Sequence, residues 1–296
     1  MAEQSVSRAT ILDGRAVADG LFPRFCALRE RLEKHRGNPP GLCVLAFGHH
    51  PPSDLYIERK SEMARRLGFL FEAKRFDNAV SLPEALAVIE AVNRDPSIDG
   101  VIVQMPVSPS VCAQTLLEAV SPHKDVDGLH ALNRGALYAP SSQGFVPCTP
   151  WGCVQLLDHY NIPLKGRHVV VVGRSLLVGR PLAAYCLRRD ATVTVTHRYT
   201  QDLSLLTRQA DIVFVAAGAH HLIDASYVHP QSVVVDVGIH RTPDGTITGD
   251  VDFASVAPRV KAISPVPGGV GPLTVMGLMH NTLQAAYASC QLPFHV

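Results

Sequence analysis

The stretch Val169-Val170-Val171-Val172-Gly173-Arg174-Ser175-Leu176-Leu177-Val178-Gly179-Arg180-Pro181 constrains the fold more than any other. Four consecutive valines read as a strand buried on both faces, the kind found inside a parallel sheet covered by helices. Gly173 ends it, a residue that turns tightly and lets a ligand approach the backbone. Gly179 and Pro181 open a helix, with Pro181 suited to its first turn. Strand, glycine turn and helix N-terminus together make an anion site, because free backbone N–H groups and the positive end of the helix dipole both favour negative charge.

The full dinucleotide fingerprint G-x-G-x-x-G is not matched: Ser175 replaces the second glycine and the last glycine falls one position late. A bare βα turn binds nothing in many α/β proteins, so on the turn alone both readings stay open. The next strand, Ala191 to Thr196, shifts the balance. A chain using NAD carries Asp or Glu about 20 residues past the turn to bind the ribose 2′-hydroxyl. Here His197-Arg198-Tyr199-Thr200 stand there with no acid. Arg174 and Arg198 are placed to pair with a 2′-phosphate, since guanidinium matches phosphate oxygens two at a time. NADP is therefore the expected cofactor.

The 296 residues suit two domains or one large one, and a 47% hydrophobic content is ample for packed cores. With 27 Lys and Arg against 26 Asp and Glu, the net charge of +1 argues against a nucleic-acid or membrane surface as the main partner. No apolar run reaches the ~18 residues of a membrane span, and Met1 to Thr10 lacks a signal-peptide core. The seven cysteines are scattered without C-x-x-C and read as reduced thiols in a cytoplasmic protein. His49-His50 and His220-His221 sit in no zinc motif, so no metal is expected.

Along the chain, Gly14 to Arg36 reads as a helix, with Pro23 marking a late start or a kink. Leu42–Phe47 is a buried strand and Gly48–Pro52 a loop. Ser53 then caps a helix reaching about Leu67. Phe69–Phe76 is a strand, Leu82–Asn93 an amphipathic helix behind a Ser81 cap, Val101–Val103 a strand and Val111–Val120 a helix. This β–α–β–α–β order predicts a parallel sheet covered by helices. Ser121 to Pro150 breaks the rhythm and reads as a junction. A second series follows: a helix from Thr149 to Tyr160 capped by Thr149, the valine strand, a helix from Val178 to Arg189, the strand to Thr196, and a helix near Leu203 to Gln209. Strands Asp211–Val215 and Ser232–Asp236 complete it. Ile263 to Pro272 packs three prolines and three glycines into ten residues, a rigid apolar loop that suits a ligand-facing role. Leu273 to Ser289 is a final helix.

Some side chains admit two readings. Tyr56 and Lys60, four apart, project from one helix face. A partly buried Lys has a lowered pKa and suits general acid/base work, but a solvated Lys beside a half-buried Tyr satisfies the same spacing. Gln104 ends a strand, where α/β sheets bind ligands, or it caps loose backbone groups. Lys124-Asp125-Val126-Asp127-Gly128 offers two carboxylates or an Asx-turn. Cys148 lacks a neighbouring base and reads as a packed thiol.

The motifs Ser53-x-x-Tyr56-x-x-x-Lys60, Asp99-Gly-Val-Ile-Val-Gln104-Met-Pro106, Lys124-Asp-Val-Asp127-Gly, Pro147-Cys-Thr-Pro150, Gly173-Arg-Ser-x-x-Val-Gly179, Asp236-Val-Gly-Ile239 and Pro265-Val-Pro-Gly-Gly-Val-Gly-Pro-Leu-Thr274 occur in this order. In that order the chain closely resembles the bifunctional methylenetetrahydrofolate dehydrogenase/methenyltetrahydrofolate cyclohydrolase family, nearly end to end. The resemblance implies two α/β lobes. One is a three-layer folate-binding catalytic domain over residues 1–148, completed by the C-terminal helix at 273–296. The other is a Rossmann-like NADP-binding domain with a mostly parallel sheet over residues 149–272.

The resemblance also implies roles. Lys60 would be the central catalytic group, Tyr56 would stack on or orient the folate ring, Gln104 would hold Lys60 in its working state, and Asp127 would bind the pterin's amino-pyrimidine edge. Ser53, Val103, Met105, Pro267, Gly268, Gly269, Val270 and Gly271 would complete the folate side. Gly173, Arg174, Ser175, Gly179, Arg198 and Ile239 would contact the dinucleotide. Tetrahydrofolate derivatives as substrates, a homodimer, and a cytoplasmic setting supplying purine biosynthesis are the further implications. Some departures stand out. Gly48-His-His-Pro-Pro52 replaces the family's usual Asp-Pro-Ala, Leu273 stands where Met is common, and Arg198 stands where many members carry Ser. In some relatives an Arg here works with inorganic phosphate and NAD, the alternative cofactor. A shikimate-type or amino-acid dehydrogenase and a non-catalytic nucleotide sensor are the rival readings.

Overall fold

The computed structural model describes residues 9–139 and 144–295. In chain order the elements are β1 (Thr10–Ile11), α1 (Gly14–Arg36), β2 (Gly41–Phe47), α2 (Pro51–Arg66), β3 (Leu70–Phe76), α3 (Leu82–Arg94), β4 (Gly100–Val103), α4 (Ala113–Ala119), α5 (Ala131–Ala136) and α6 (Cys148–His159). They continue with β5 (His168–Val172), α7 (Gly179–Arg188), β6 (Thr192–Thr196), α8 (Leu203–Thr207), β7 (Ile212–Val215), β8 (Val233–Asp236), β9 (His240–Arg241), β10 (Ile247–Thr248), α9 (Phe253–Val256), β11 (Ala262–Ile263) and α10 (Val270–Ser289). The chain divides into two compact units. One holds Asp19–Cys148 and the described residues from Val275 on; the other holds the described residues up to Ala18 with Thr149–Thr274. No helix among the described residues is long and apolar enough to cross a membrane. The signal-peptide reading falls mostly on residues 1–8, outside those described.

In the unit around Asp19–Cys148 the sheet runs β3-β2-β4, all parallel. Every residue of β2 is buried, as its unbroken apolar run requires for a central strand covered on both faces. Cys43, Leu45 and Phe47 pack with Val101 and Val103 against Ala85, Ile89 and Val92, which follow one another at helical spacing on α3. A capping box starts α3: Ser81 Oγ accepts from Glu84 N, and the Glu84 carboxylate accepts from Ser81 N at 2.9 Å. Lys124 Nζ donates to the Val92 and Asp95 carbonyls at 3.2 and 2.6 Å, satisfying the other end of the helix. Arg36, at the end of α1, makes a two-pronged ion pair with buried Asp99, both bonds 2.7 Å, while Asp99 also accepts from Gly41 N at 2.8 Å. The pair ties α1 to the starts of β2 and β4.

The other unit carries a six-stranded parallel sheet in the order β1-β11-β8-β7-β5-β6. Val169 to Val172 are fully buried between β6 and β7. Chain order reverses at β5, and the crevice beyond the carboxyl ends of strands at such a reversal is where open α/β sheets bind ligands. β1 belongs to this sheet: Thr10 N donates to Lys261 O at 2.9 Å and Leu12 N to Ile263 O at 2.8 Å. Residues 10–18 therefore cluster apart from the 1–148 span assigned to the catalytic domain. A two-residue strand has no alternation by which a sequence could reveal it.

Several element starts differ from expectation. α2 begins at Pro51 behind an extended His50, so Ser53 lies inside its first turn and is not its N-cap. Proline's fixed φ favours the first helical positions, and that preference outweighs serine's capping preference here. α6 begins at Cys148, which puts Thr149 in the helix. α10 begins at Val270, so the last three residues of the Gly-Pro stretch are helical, with Pro272 in the first turn where it disrupts no helical bond. α1 continues through Pro23. The junction contains the short helix α5.

Candidate functional site

Lys60 lies on α2 four residues after Tyr56, which is 39% exposed. Lys60 Nζ donates to Gln104 Oε1 at 2.8 Å, and Gln104 Nε2 donates to the Met105 carbonyl at 2.9 Å. The second bond fixes which end of the amide faces the lysine: an oxygen acceptor is held on an ammonium or amine. Burial of the amino group lowers the Lys60 pKa, and the nearby Asp127 charge offsets this only in part. Ser53 Oγ donates to Met105 O at 3.3 Å. With its one proton used there, Ser53 accepts from His50 Nδ1 at 3.2 Å. Ser53, Tyr56, Lys60, Val103, Gln104 and Met105 therefore assemble where α2 meets the end of β4.

Asp125 and Asp127 divide their labour. Asp125 is buried and accepts from His130 N and Asn133 Nδ2, each at 2.8 Å, and from Leu129 N at 3.2 Å. It organises the junction, and burial pushes its carboxyl up to about 7. Asp127 is half-buried, and its charge acts on Lys60 and Cys148. Cys148 Sγ donates to Val126 O at 3.4 Å, and burial drives its pKa well up, so it stays a thiol. Asn281 on α10 donates to Val126 O at 2.9 Å and Val146 O at 2.8 Å. This residue was not anticipated; an amide in the midst of a mostly apolar helix is the signal that marks it.

In the other unit, Gly173 ends β5 with φ +119°, and a Cβ there would lie 2.0 Å from Ala216 O. A Cβ on Gly179 would lie 2.1 Å from Gly173 O, so the glycines let the β5 turn, the β7 end and α7 close on one another. Ser175 Oγ accepts from Val178 N at 3.1 Å and Gly179 N at 3.4 Å, closing the turn that leads into α7. Arg174 and Arg198 are exposed at the carboxyl ends of β5 and β6. The Arg198 guanidinium carbon stands 4.7 Å from the centroid of the Tyr199 ring, which holds the side chain over the loop. Ile239, past β8, is 52% exposed. A tight glycine turn with the exposed guanidinium groups of Arg174 and Arg198 near it suits a phosphate-bearing ligand.

Pro267 to Gly271 also lie in this unit. Gly14 N donates to Gly268 O at 2.9 Å, and a Cβ on Gly14 would sit 1.8 Å from Gly269 O. The start of α1 thus presses on the Gly268-Gly269 turn, with Gly268 at φ +111°.

The model of the tetrahydrofolate dehydrogenase/cyclohydrolase catalytic domain matches residues 12–127, and that of the NAD(P)-binding domain of the same family matches residues 147–290. A bifunctional protein FolD of Paracidovorax citrulli is 44% identical over 278 residues, 94% of this chain and 98% of that protein. The crystal structure of the FolD methylenetetrahydrofolate dehydrogenase/cyclohydrolase of Campylobacter jejuni superimposes with a TM-score of 0.92 at 40% identity, covering 95% of this chain and 99% of that one. The Trypanosoma brucei enzyme, solved with NADP and an inhibitor, gives 0.91 at 32% identity over 96% and 99%. With both family domains matched in order and whole-length relatives this similar, the chain belongs to the tetrahydrofolate dehydrogenase/cyclohydrolase family.

Proposed function

We propose that this protein oxidises 5,10-methylenetetrahydrofolate to the 5,10-methenyl cation with NADP⁺ and then hydrolyses the cation to 10-formyltetrahydrofolate. The observation that carries the reading is the Lys60–Gln104 contact of 2.8 Å together with the lowered Lys60 pKa. A lysine with a lowered pKa has a neutral fraction that can take a proton from an attacking water. In the hydrolytic step water adds to the methenyl carbon, and Lys60 accepts a proton from it. Lys60 then returns a proton to N5 as the carbon–N5 bond breaks; the second proton of the water is released. Gln104 orients the amine, Asp127 accepts from the N–H donors of the pterin's pyrimidine edge, and Tyr56 supports the ring. Ser53, Val103, Met105 and the Pro267–Gly271 stretch are the further folate contacts we propose.

NADP, when bound, supplies the hydride acceptor. Gly173, Arg174, Ser175, Gly179, Arg198 and Ile239 would hold it, the two arginines toward the 2′-phosphate. The absence of an acid among residues 197–200 favours NADP over NAD, and NAD with inorganic phosphate is the second possibility. A homodimer working in the cytoplasm and feeding purine synthesis completes the proposal; light scattering tests the first of these.

Purified protein mixed with methylenetetrahydrofolate, in parallel with NADP⁺ and NAD⁺, with and without phosphate, tests the reading by absorbance. Reduced nucleotide forming fastest with NADP⁺ is the expected result. No reduced nucleotide in any mixture would refute it.

A further inference from the structure

Two buried carboxylates lie beneath the carboxyl ends of β7 and β8. Asp250 Oδ2 accepts from Ala217 N at 2.7 Å and Gly218 N at 2.9 Å, and its Oδ1 accepts from His240 Nε2 at 2.7 Å. Asp236 accepts from Gly238 N, Asp250 N and Val251 N at 2.9, 3.1 and 2.9 Å. The surrounding backbone makes room for them: a Cβ on Gly238 would lie 2.3 Å from Asp250 Cγ, and one on Gly249 1.9 Å from Asp236 Oδ2. The β9–β10 hairpin is fastened to the same turn a second time, by His221 Nε2 and Thr248 Oγ1 at 3.1 Å. None of these residues takes part in the chemistry described above.

We infer that the Asp250–His240 pair positions the turn Ala216–Gly218 to receive the nicotinamide half of the dinucleotide. The inference rests on reading this unit as the NADP site. A dinucleotide lies across the reversal point of the sheet, one half on each side of the central strand. Arg174 and Arg198 put the positive charge on the β5–β6 side, which suits the phosphate-bearing adenosine half. On the β7–β8 side the exposed turn residues Ala217 and Gly218 have their N–H groups committed to a buried carboxylate. That turn offers a ligand acceptors and no donors, and the charge beneath it opposes phosphate. Ribose hydroxyls and a carboxamide NH₂ are donors without negative charge, so they complement it. His240 holds Asp250 from the hairpin side, which keeps the carboxylate directed at the turn.

Equilibrium binding of NADPH and of adenosine 2′,5′-bisphosphate, which lacks the nicotinamide half, tests this. For His240→Ala the dissociation constant of NADPH should rise about tenfold, the effect of one lost hydrogen bond near a charge, while that of the bisphosphate stays put. His240→Gln, which keeps a donor toward Asp250, should restore NADPH binding. Asp250→Asn should act like His240→Ala, or more strongly. Unchanged NADPH binding in His240→Ala, or equal weakening of both ligands, overturns the inference. If the wild-type protein binds neither ligand, the NADP reading itself fails.

Discussion

The Nζ of Lys60 and the Oε1 of Gln104 are 2.8 Å apart although 44 positions separate them in the chain. Gln104 is held in turn by its bond to the Met105 carbonyl. The lysine meets a neutral acceptor of fixed orientation, and its pKa is lowered by burial. A carboxylate in place of the amide would reverse this by stabilising the ammonium.

Gln104→Glu should therefore raise the Lys60 pKa and move the alkaline-side rise of the pH–rate profile for methenyltetrahydrofolate hydrolysis to higher pH. At neutral pH the rate should fall by about tenfold or more, since general acid/base groups contribute ~10²–10⁴-fold. A profile in Gln104→Glu that coincides with wild type contradicts the pairing.

Gly173→Ala should destroy dinucleotide binding and destabilise its unit. The position has φ +119°, and a methyl group would fall 2.0 Å from Ala216 O. Left-handed strain plus overpacking should cost about 3 kcal/mol or more. Thermal unfolding and NADPH titration of the variant check both effects.

How much of this was legible from residue types differed by element. The valine strand and β2 were readable because burial on both faces demands an unbroken apolar run, and α3 because Ser81 announces its start. Tyr56 and Lys60 share a helix face by spacing alone. The partnership with Gln104 came only through the family resemblance and not from spacing: it depends on how β4 sits beside α2, which no local period encodes. The Asp250 network was missed for the same reason. Its partners are backbone N–H groups 32 and 33 positions away, and backbone groups carry no residue signature. Ser53 misled because two rules competed at one helix start, and the prolines prevailed.

Arg198→Ala should weaken NADP more than NAD. The side chain is an exposed cation past β6, where residues 197–200 carry no acid to address a 2′-hydroxyl. Losing a guanidinium–phosphate contact should raise the KM for NADP⁺ by about tenfold or more, with little change for NAD⁺. Parallel KM measurements check this; an equal change for both cofactors contradicts it.

His280 should make the protein acid-sensitive. It is half-buried on α10 beside Phe25 and Phe294, and withdrawal of the ring from water lowers its pKa to about 4, with the Asn281 contact acting the other way. A histidine depressed in the folded state binds its proton more readily when unfolded. Its contribution is complete above the unfolded pKa near 6.5 and is lost as pH falls toward 4, at most about 3 kcal/mol before solvent screening of the half-buried ring. His280→Gln should flatten denaturant-midpoint stability between those limits relative to wild type. An unchanged slope contradicts this.

The most direct measurement is the rate at which purified, folded Lys60→Met hydrolyses 5,10-methenyltetrahydrofolate. Loss of hydrolysis with a native circular-dichroism spectrum is the expected result. Hydrolysis at the wild-type rate would show that the proton transfers belong to another group and that Lys60 is not the catalytic amine.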